Sequence, residues 1–192
     1  MRKEFNRNGH IIIKNILTNS EKKKILNIFF DVLNKYINIP AKIRNLNNDL
    51  LHEKLINLRK KKPKKFGQLY DELKLNARLR SILCSEKFIK LGSKILNVNK
   101  NLIFINGFQL RLDAPNDQRN IYSWHQDSAF YLHTYPKFNA FVCWLPITHN
   151  TAKNGTLQYI SKSHSHFIKT SFDKKSKLGS LQYRVKVNKK KK

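Results

Sequence analysis

The hydrophobic period of this chain changes once, between Asn97 and Asn101, from a helical repeat to a strand-like one. That change constrains the fold more than any other feature, because a 3.6-residue apolar stripe and a two-residue alternation bury their side chains in incompatible ways. Before it, Ile25, Phe29, Val32, Leu33 and Tyr36 recur at three- and four-residue spacing, which predicts a helix with one apolar stripe and a lysine-rich outer face. Thr18-Asn19-Ser20-Glu21 has the form of a capping box and opens that helix, and Pro40 closes it. The β-branched run within Gly9-His10-Ile11-Ile12-Ile13-Lys14 reads as a short strand ahead of it. Leu50, Leu51, Leu55 and Leu58 mark a second helix, and the basic run Arg59 to Lys65 reads as the loop that ends it. Further helices are expected over Leu69 to Leu83 and, from an N-cap at Ser85, over Glu86 to Leu96. After the change, Phe104, Phe108, Leu110 and Leu112 fall on one face and Gln109, Arg111 and Asp113 on the other. Tyr122 to Ser128, Phe138 to Leu145, Thr156 to Ile160 and Leu181 to Val187 are further strand-like stretches. Short strands separated by turns point to a sandwich or jelly roll with helices packed outside.

At 192 residues, with 40% hydrophobic residues, the chain is sized for one domain with a real core. The expected organisation is a single domain over 1–192: a mainly helical part, 1–97, after the first strand; strands over 98–188; and a basic tail, 189–192. Apolar runs such as Ile11-Ile12-Ile13 are far shorter than the roughly 20 residues of a membrane helix. No apolar region stands behind Met1-Arg2-Lys3-Glu4, so a cytoplasmic protein with no membrane partner is expected. Cys84 and Cys143 stand far apart without CxxC spacing, which argues against a structural zinc site or disulfide scaffold and leaves each as a small buried hydrophobe.

Ser123-Trp124-His125-Gln126-Asp127-Ser128 carries the strongest chemical signal. On a strand, His125 and Asp127 project side by side from one face, where a neutral imidazole and a carboxylate can chelate one metal. Completed by a distant second His, such a pair is the facial triad of non-haem Fe(II) oxygenases, which leaves coordination positions open for co-substrate and dioxygen. The tripeptide alone is weak; its neighbours make it informative.

Gln109-Leu110-Arg111-Leu112-Asp113-Ala114-Pro115, Trp124-His125-Gln126-Asp127-Ser128, Cys143-Trp144-Leu145-Pro146-Ile147 and Asn154-Gly155-Thr156-Leu157 through Ser163-His164 resemble, in order and spacing, blocks of the phytanoyl-CoA dioxygenase family. The opening Gly9 to Leu17, followed by a capped helix, is also how these proteins begin. The resemblance implies an α+β protein: a double-stranded β-helix, the cupin-like jelly roll, with N-terminal helices packed outside it. It implies Fe(II) held by His125 and Asp127, with Gln109, Gln126 and Trp144 at positions that line the 2-oxoglutarate pocket, and no catalytic residue beyond the metal ligands. The implied reaction decarboxylates 2-oxoglutarate to succinate with O2 as co-substrate and hydroxylates a small organic molecule. Read without the resemblance, Trp144 is equally a core indole, Gln126 a strand residue bonded to a neighbour and Gln109 ordinary surface. Arg111 meets either an acidic substrate or Asp113 or Asp127, and Ser163-His164 matches a family position that is not an iron ligand.

In the family a second iron-binding His lies in a later Gly-Asp…Phe…His block, followed by an Arg that clamps 2-oxoglutarate. Here Leu181-Gln182-Tyr183-Arg184-Val185-Lys186-Val187-Asn188 resembles the strand before that block, and Lys189 to Lys192 follow it. No His follows His166, and Arg184 lies too early. The expectation is a family member truncated at its C-terminus, lacking its last strands, with weak or absent activity in this form. The other classes in view are a non-catalytic jelly roll and a basic nucleic-acid-binding protein, the latter on a net charge of +27. Dispersed basic residues without a helix-turn-helix, zinc finger or RNP-type motif speak against specific nucleic-acid binding. A small-molecule substrate is the expected partner, and the oligomeric state is left open.

Overall fold

A computed structural model describes residues 1–105, 107, 108, 110–113, 124–127, 140–152, 155–166, 168, 171, 172, 183 and 184. The chain divides into two compact units. One comprises Ile13–Ser93 with Asn99–Ala114; the other comprises Met1–Ile12, Lys94–Val98 and Pro115–Lys192.

The first of these units is helical. Helix α1 (Arg2–Asn8) belongs to the other unit; here the chain forms α2 (Asn19–Asn34), α3 (Asp49–Lys61), α4 (Pro63–Leu75), α5 (Ala77–Leu83) and most of α6 (Glu86–Leu96). The capping box opens α2 as expected: Glu21 N–H donates to Thr18 Oγ1 (3.2 Å), while Thr18 N–H donates to Glu21 Oε2 (2.7 Å). Two donors that a helix start would leave unsatisfied are thereby used. Lys87 Nζ adds an ion pair to Glu21 (2.6 Å), tying the start of α2 to α6. The Lys87 ammonium, then the Thr18 amide and hydroxyl, hold the Glu21 carboxyl down at about 2.

The apolar stripe of α2 is buried as Ile25, Phe29, Phe30, Val32 and Leu33, against α4 and α5. Leu51, Leu58, Phe66, Leu69 and Leu73 from α3 and α4 complete the core with Ile39 and Ile43. Leu33, Leu51, Leu69 and Leu73 are fully buried, and each such side chain contributes about 1.5–3 kcal/mol by leaving water. At the edge of this core Lys35 Nζ and Tyr36 Oη both donate to Glu72 (2.6 and 2.8 Å), which lowers the Glu72 pKa. Burial, then the Glu72 carboxylate, raises the Tyr36 phenol to about 12.

The basic run is not a loop. Arg59, Lys60 and Lys61 form the last turn of α3, Lys62 makes the break, and Pro63 opens α4 at its first turn. Lysine and arginine are good helix formers and complement the negative end of the helix dipole, and proline is best tolerated where the amide has no intrahelical partner. The expected helix over Leu69 to Leu83 is broken at Asn76, whose side chain accepts from Leu79 N–H (2.9 Å) and starts α5. Helix α6 starts where expected, but Ser85 Oγ is buried with no hydrogen-bond partner among the described residues. The Ser85 carbonyl instead accepts from Phe88 and Ile89. Cys84 is half-buried and Cys143 exposed, so neither is the buried hydrophobe expected.

The jelly roll and the α+β class are overturned: the described residues are mainly helical, with no sandwiched sheets among them. Among them the only sheet is an antiparallel pair of two-residue strands, β1 (Ser171–Phe172) and β2 (Tyr183–Arg184), with Ser171 opposite Arg184 and Phe172 opposite Tyr183. The expected strand at Gly9 to Lys14 is absent, and the described parts of Leu102 to Leu112, Tyr122 to Ser128, Phe138 to Leu145 and Thr156 to Ile160 carry none either. Alternation sets local backbone preference, whereas a sheet needs remote partners for each N–H and C=O. At Leu112 those partners come from a helix instead. Tyr70 Oη on α4 donates to the Leu112 carbonyl (2.8 Å) and accepts from the Leu112 amide (2.6 Å). Leu110 and Leu112 pack on the helical core, Phe108 faces the Arg80 guanidinium, and Phe104 is 87% exposed.

Candidate metal-motif site

The other unit carries the metal motif. Its N-terminal helix α1 ends at Gly9, which takes a left-handed conformation (φ 76°) and donates its amide to Phe5. Glycine serves twice here, since a Cβ at this position would also run into the ring of His164. His164 Nε2 donates to the Asn6 carbonyl (2.8 Å), and Lys162 N–H donates to the Asn8 carbonyl (2.8 Å). The turn Ser163–Ser165 thus closes the carbonyl end of α1. His10 stacks on Tyr159 with ring centroids 4.0 Å apart, and Phe5 meets Phe141 edge-on. His164 is accordingly an anchor for α1.

In the motif itself His125 Nε2 lies 3.2 Å from Asp127 Oδ1, the histidine half-buried and the aspartate exposed. Two ligand atoms about 2.1 Å from a metal and at right angles stand about 3.0 Å apart, so this pair fits two adjacent corners of an octahedral site. The structure therefore brings together the two residues that the sequence assigns to one metal. Among the described residues no third His, Cys, Asp or Glu joins them to form a group that could hold a metal ion.

Gln126, between them, is turned to another task. Its Nε2 donates to the carbonyls of Ser163 and His166 (both 2.9 Å), and its Oε1 accepts from the Ile168 amide (2.8 Å). Both amide hydrogens and the carbonyl of the side chain are occupied by backbone. The neighbour expected for a structural Gln126 is thus a segment about forty residues away, for which the sequence held no signal. Trp144 is 40% exposed and is not a core indole. Gln109 lies outside the described residues. Arg111 pairs with Asp113 (3.2 Å), the plainer of its two expectations. The sequence also missed Tyr70, Gly9 and the anchoring by His164. Only Gly9 left a trace, as a glycine just past a stretch of helix formers.

The chain belongs to the phytanoyl-CoA dioxygenase (PhyH) family, whose profile matches residues 5–182. Membership points to an oxygenase and carries the family-level expectation of iron and 2-oxoglutarate. No curated protein and no solved structure matches the chain. No helix among the described residues is long and apolar enough to cross a membrane.

Proposed function

We propose that this protein is an Fe(II)/2-oxoglutarate-dependent dioxygenase that hydroxylates a small organic substrate. The observation that carries the reading is the 3.2 Å approach of His125 Nε2 and Asp127 Oδ1 within the family's His-Gln-Asp block. His125 and Asp127 would hold the iron, which when bound supplies the site for co-substrate and O2 in a reaction that yields succinate, CO2 and hydroxylated product. With Nε2 protonated, the pair is a charge-assisted contact. In the tautomer that carries its proton on Nδ1, the Nε2 lone pair and the Asp127 carboxylate face the same space, which is the form a metal requires. Gln109 and Trp144 are proposed 2-oxoglutarate contacts by the resemblance. The reading includes a cytoplasmic location, supported by the free thiols of Cys84 and Cys143.

The test is anaerobic titration with Fe(II), followed by succinate release from 2-oxoglutarate on admitting oxygen. Turnover that disappears in His125→Ala and in Asp127→Ala is the expected result. Succinate release unchanged in both variants would sink it.

A further inference from the structure

Gln126 ties the His-Gln-Asp block to the backbone of Ser163, His166 and Ile168. Its neighbours His125 and Asp127 meet through their side chains, while its own side chain makes three hydrogen bonds to backbone groups of Ser163, His166 and Ile168. The Ser163–Ser165 turn is itself fixed: His164 Nε2 binds the Asn6 carbonyl, Ser163 Oγ donates to the Ile160 carbonyl (2.7 Å), and Lys162 N–H binds Asn8. A residue held at its side chain by a braced segment has little freedom of backbone rotation. The residues on either side of it inherit that restriction.

We propose that Gln126 is a positioning residue: it locks the backbone between His125 and Asp127 onto the 163–168 segment and so pre-sets the two ligand atoms for a divalent metal. This rests on the oxygenase reading of the pair. It assigns Gln126 a different job from contact with 2-oxoglutarate, because an amide with both hydrogens and its oxygen committed to backbone has no donor left for a carboxylate. Groups that orient metal ligands without touching the metal are typically worth about 10–100-fold in metal affinity.

The experiment uses the full chain and Co(II) as a spectroscopic stand-in for Fe(II), with wild type, Gln126→Met and Gln126→Glu. Methionine keeps the length of the side chain and removes all three bonds. Glutamate keeps the acceptor for Ile168 and removes both donors. The expected result is a fall of about 10–100-fold in Co(II) affinity for Gln126→Met, a smaller fall for Gln126→Glu, and loss of hydrogen-exchange protection at the Ile168 amide in Gln126→Met only. Far-UV circular dichroism checks that the helices persist, and Gln126→Glu keeps the test alive should Gln126→Met fail to fold. Unchanged Co(II) affinity in both variants, with weakened 2-oxoglutarate binding to the Co(II)-loaded chain, would overturn the proposal and return Gln126 to the co-substrate pocket. Failure of the wild type itself to bind Co(II) would instead overturn the oxygenase reading, and this proposal with it.

Discussion

Gly9 meets two requirements at once. Its φ of 76° is a conformation that costs an L residue about 1–2 kcal/mol, and the space a side chain would need is filled by the His164 ring. Overpacking adds about 1–3 kcal/mol where neighbours cannot move. His164 is held by its bond to Asn6, so it yields only by giving that bond up. Gly9→Ala is therefore expected to loosen α1, read as faster tryptic cleavage after Arg2, Lys3 and Arg7. In Gly9→Ala/His164→Ala the steric part is relieved and the left-handed strain remains. Cleavage no faster in Gly9→Ala than in wild type would show that this contact does not hold the helix.

Elements were legible from the sequence where their determinants are local. The capping box at Thr18 and Glu21 and the stripe Ile25, Phe29, Val32 and Leu33 are short-range patterns, and the structure reproduces both. The basic run reads as a loop only if its lysines are taken as charge alone; they are also good helix formers, and Pro63 marks a first turn. The break at Asn76 was also within reach, since asparagine before a helix is a cap as often as an interior residue. The strands failed for a different reason: alternation names a face but not the partner that will pair with it, and Leu112 found a tyrosine hydroxyl on a helix. Of the candidate site, His125 and Asp127 meet although residues 124–127 do not form the strand on which a spacing of two would set them side by side. The partners of Gln126 lie 37 to 42 residues away and were not legible.

Glu21 joins the start of α2 to α6 through Lys87. Glu21 has an ordinary value of 4.5 and is held at about 2 in the folded chain. A depressed carboxyl pKa contributes stability that is fully present above 4.5 and is lost as pH falls through 2. Gln at position 21 keeps an acceptor for the Thr18 amide and removes the charge that Lys87 pairs with. Glu21→Gln should therefore melt below wild type at neutral pH, with the gap closing between pH 4.5 and 2. Thermal melts followed by circular dichroism across that range check it. A gap that does not vary with pH would mean the substitution acts through packing alone.

For the whole molecule the dominant quantity is charge. The chain has 39 Lys and Arg and 12 Asp and Glu, so at least 27 cations cannot be matched one to one with a carboxylate. Ion pairs such as Lys35–Glu72, Arg44–Asp31 and Lys87–Glu21 use up acids without altering that surplus. Two accounts compete: selection for a polyanion partner, or a bias in amino-acid usage that has nothing to do with binding. The neutral residues decide between them. Asn (22) and Ile (19) are abundant alongside Lys (30), while Arg, the residue best suited to phosphates and base edges, is scarce at nine. Selection for a polyanion would not enrich Asn and Ile or spare Arg, whereas a preference for A/T-rich codons does all three. Such a surface still attracts polyanions, through counterion release that any cationic face provides. The full chain is thus expected to bind heparin and unrelated duplex DNAs alike, with the same steep dependence on salt, and to release both in strong salt, where the screening length falls to about 3 Å at 1 M. His125→Ala and Asp127→Ala should elute with wild type, because the metal motif takes no part. Preference for one DNA sequence that persists in strong salt would reverse this judgement and make nucleic acid a partner in its own right.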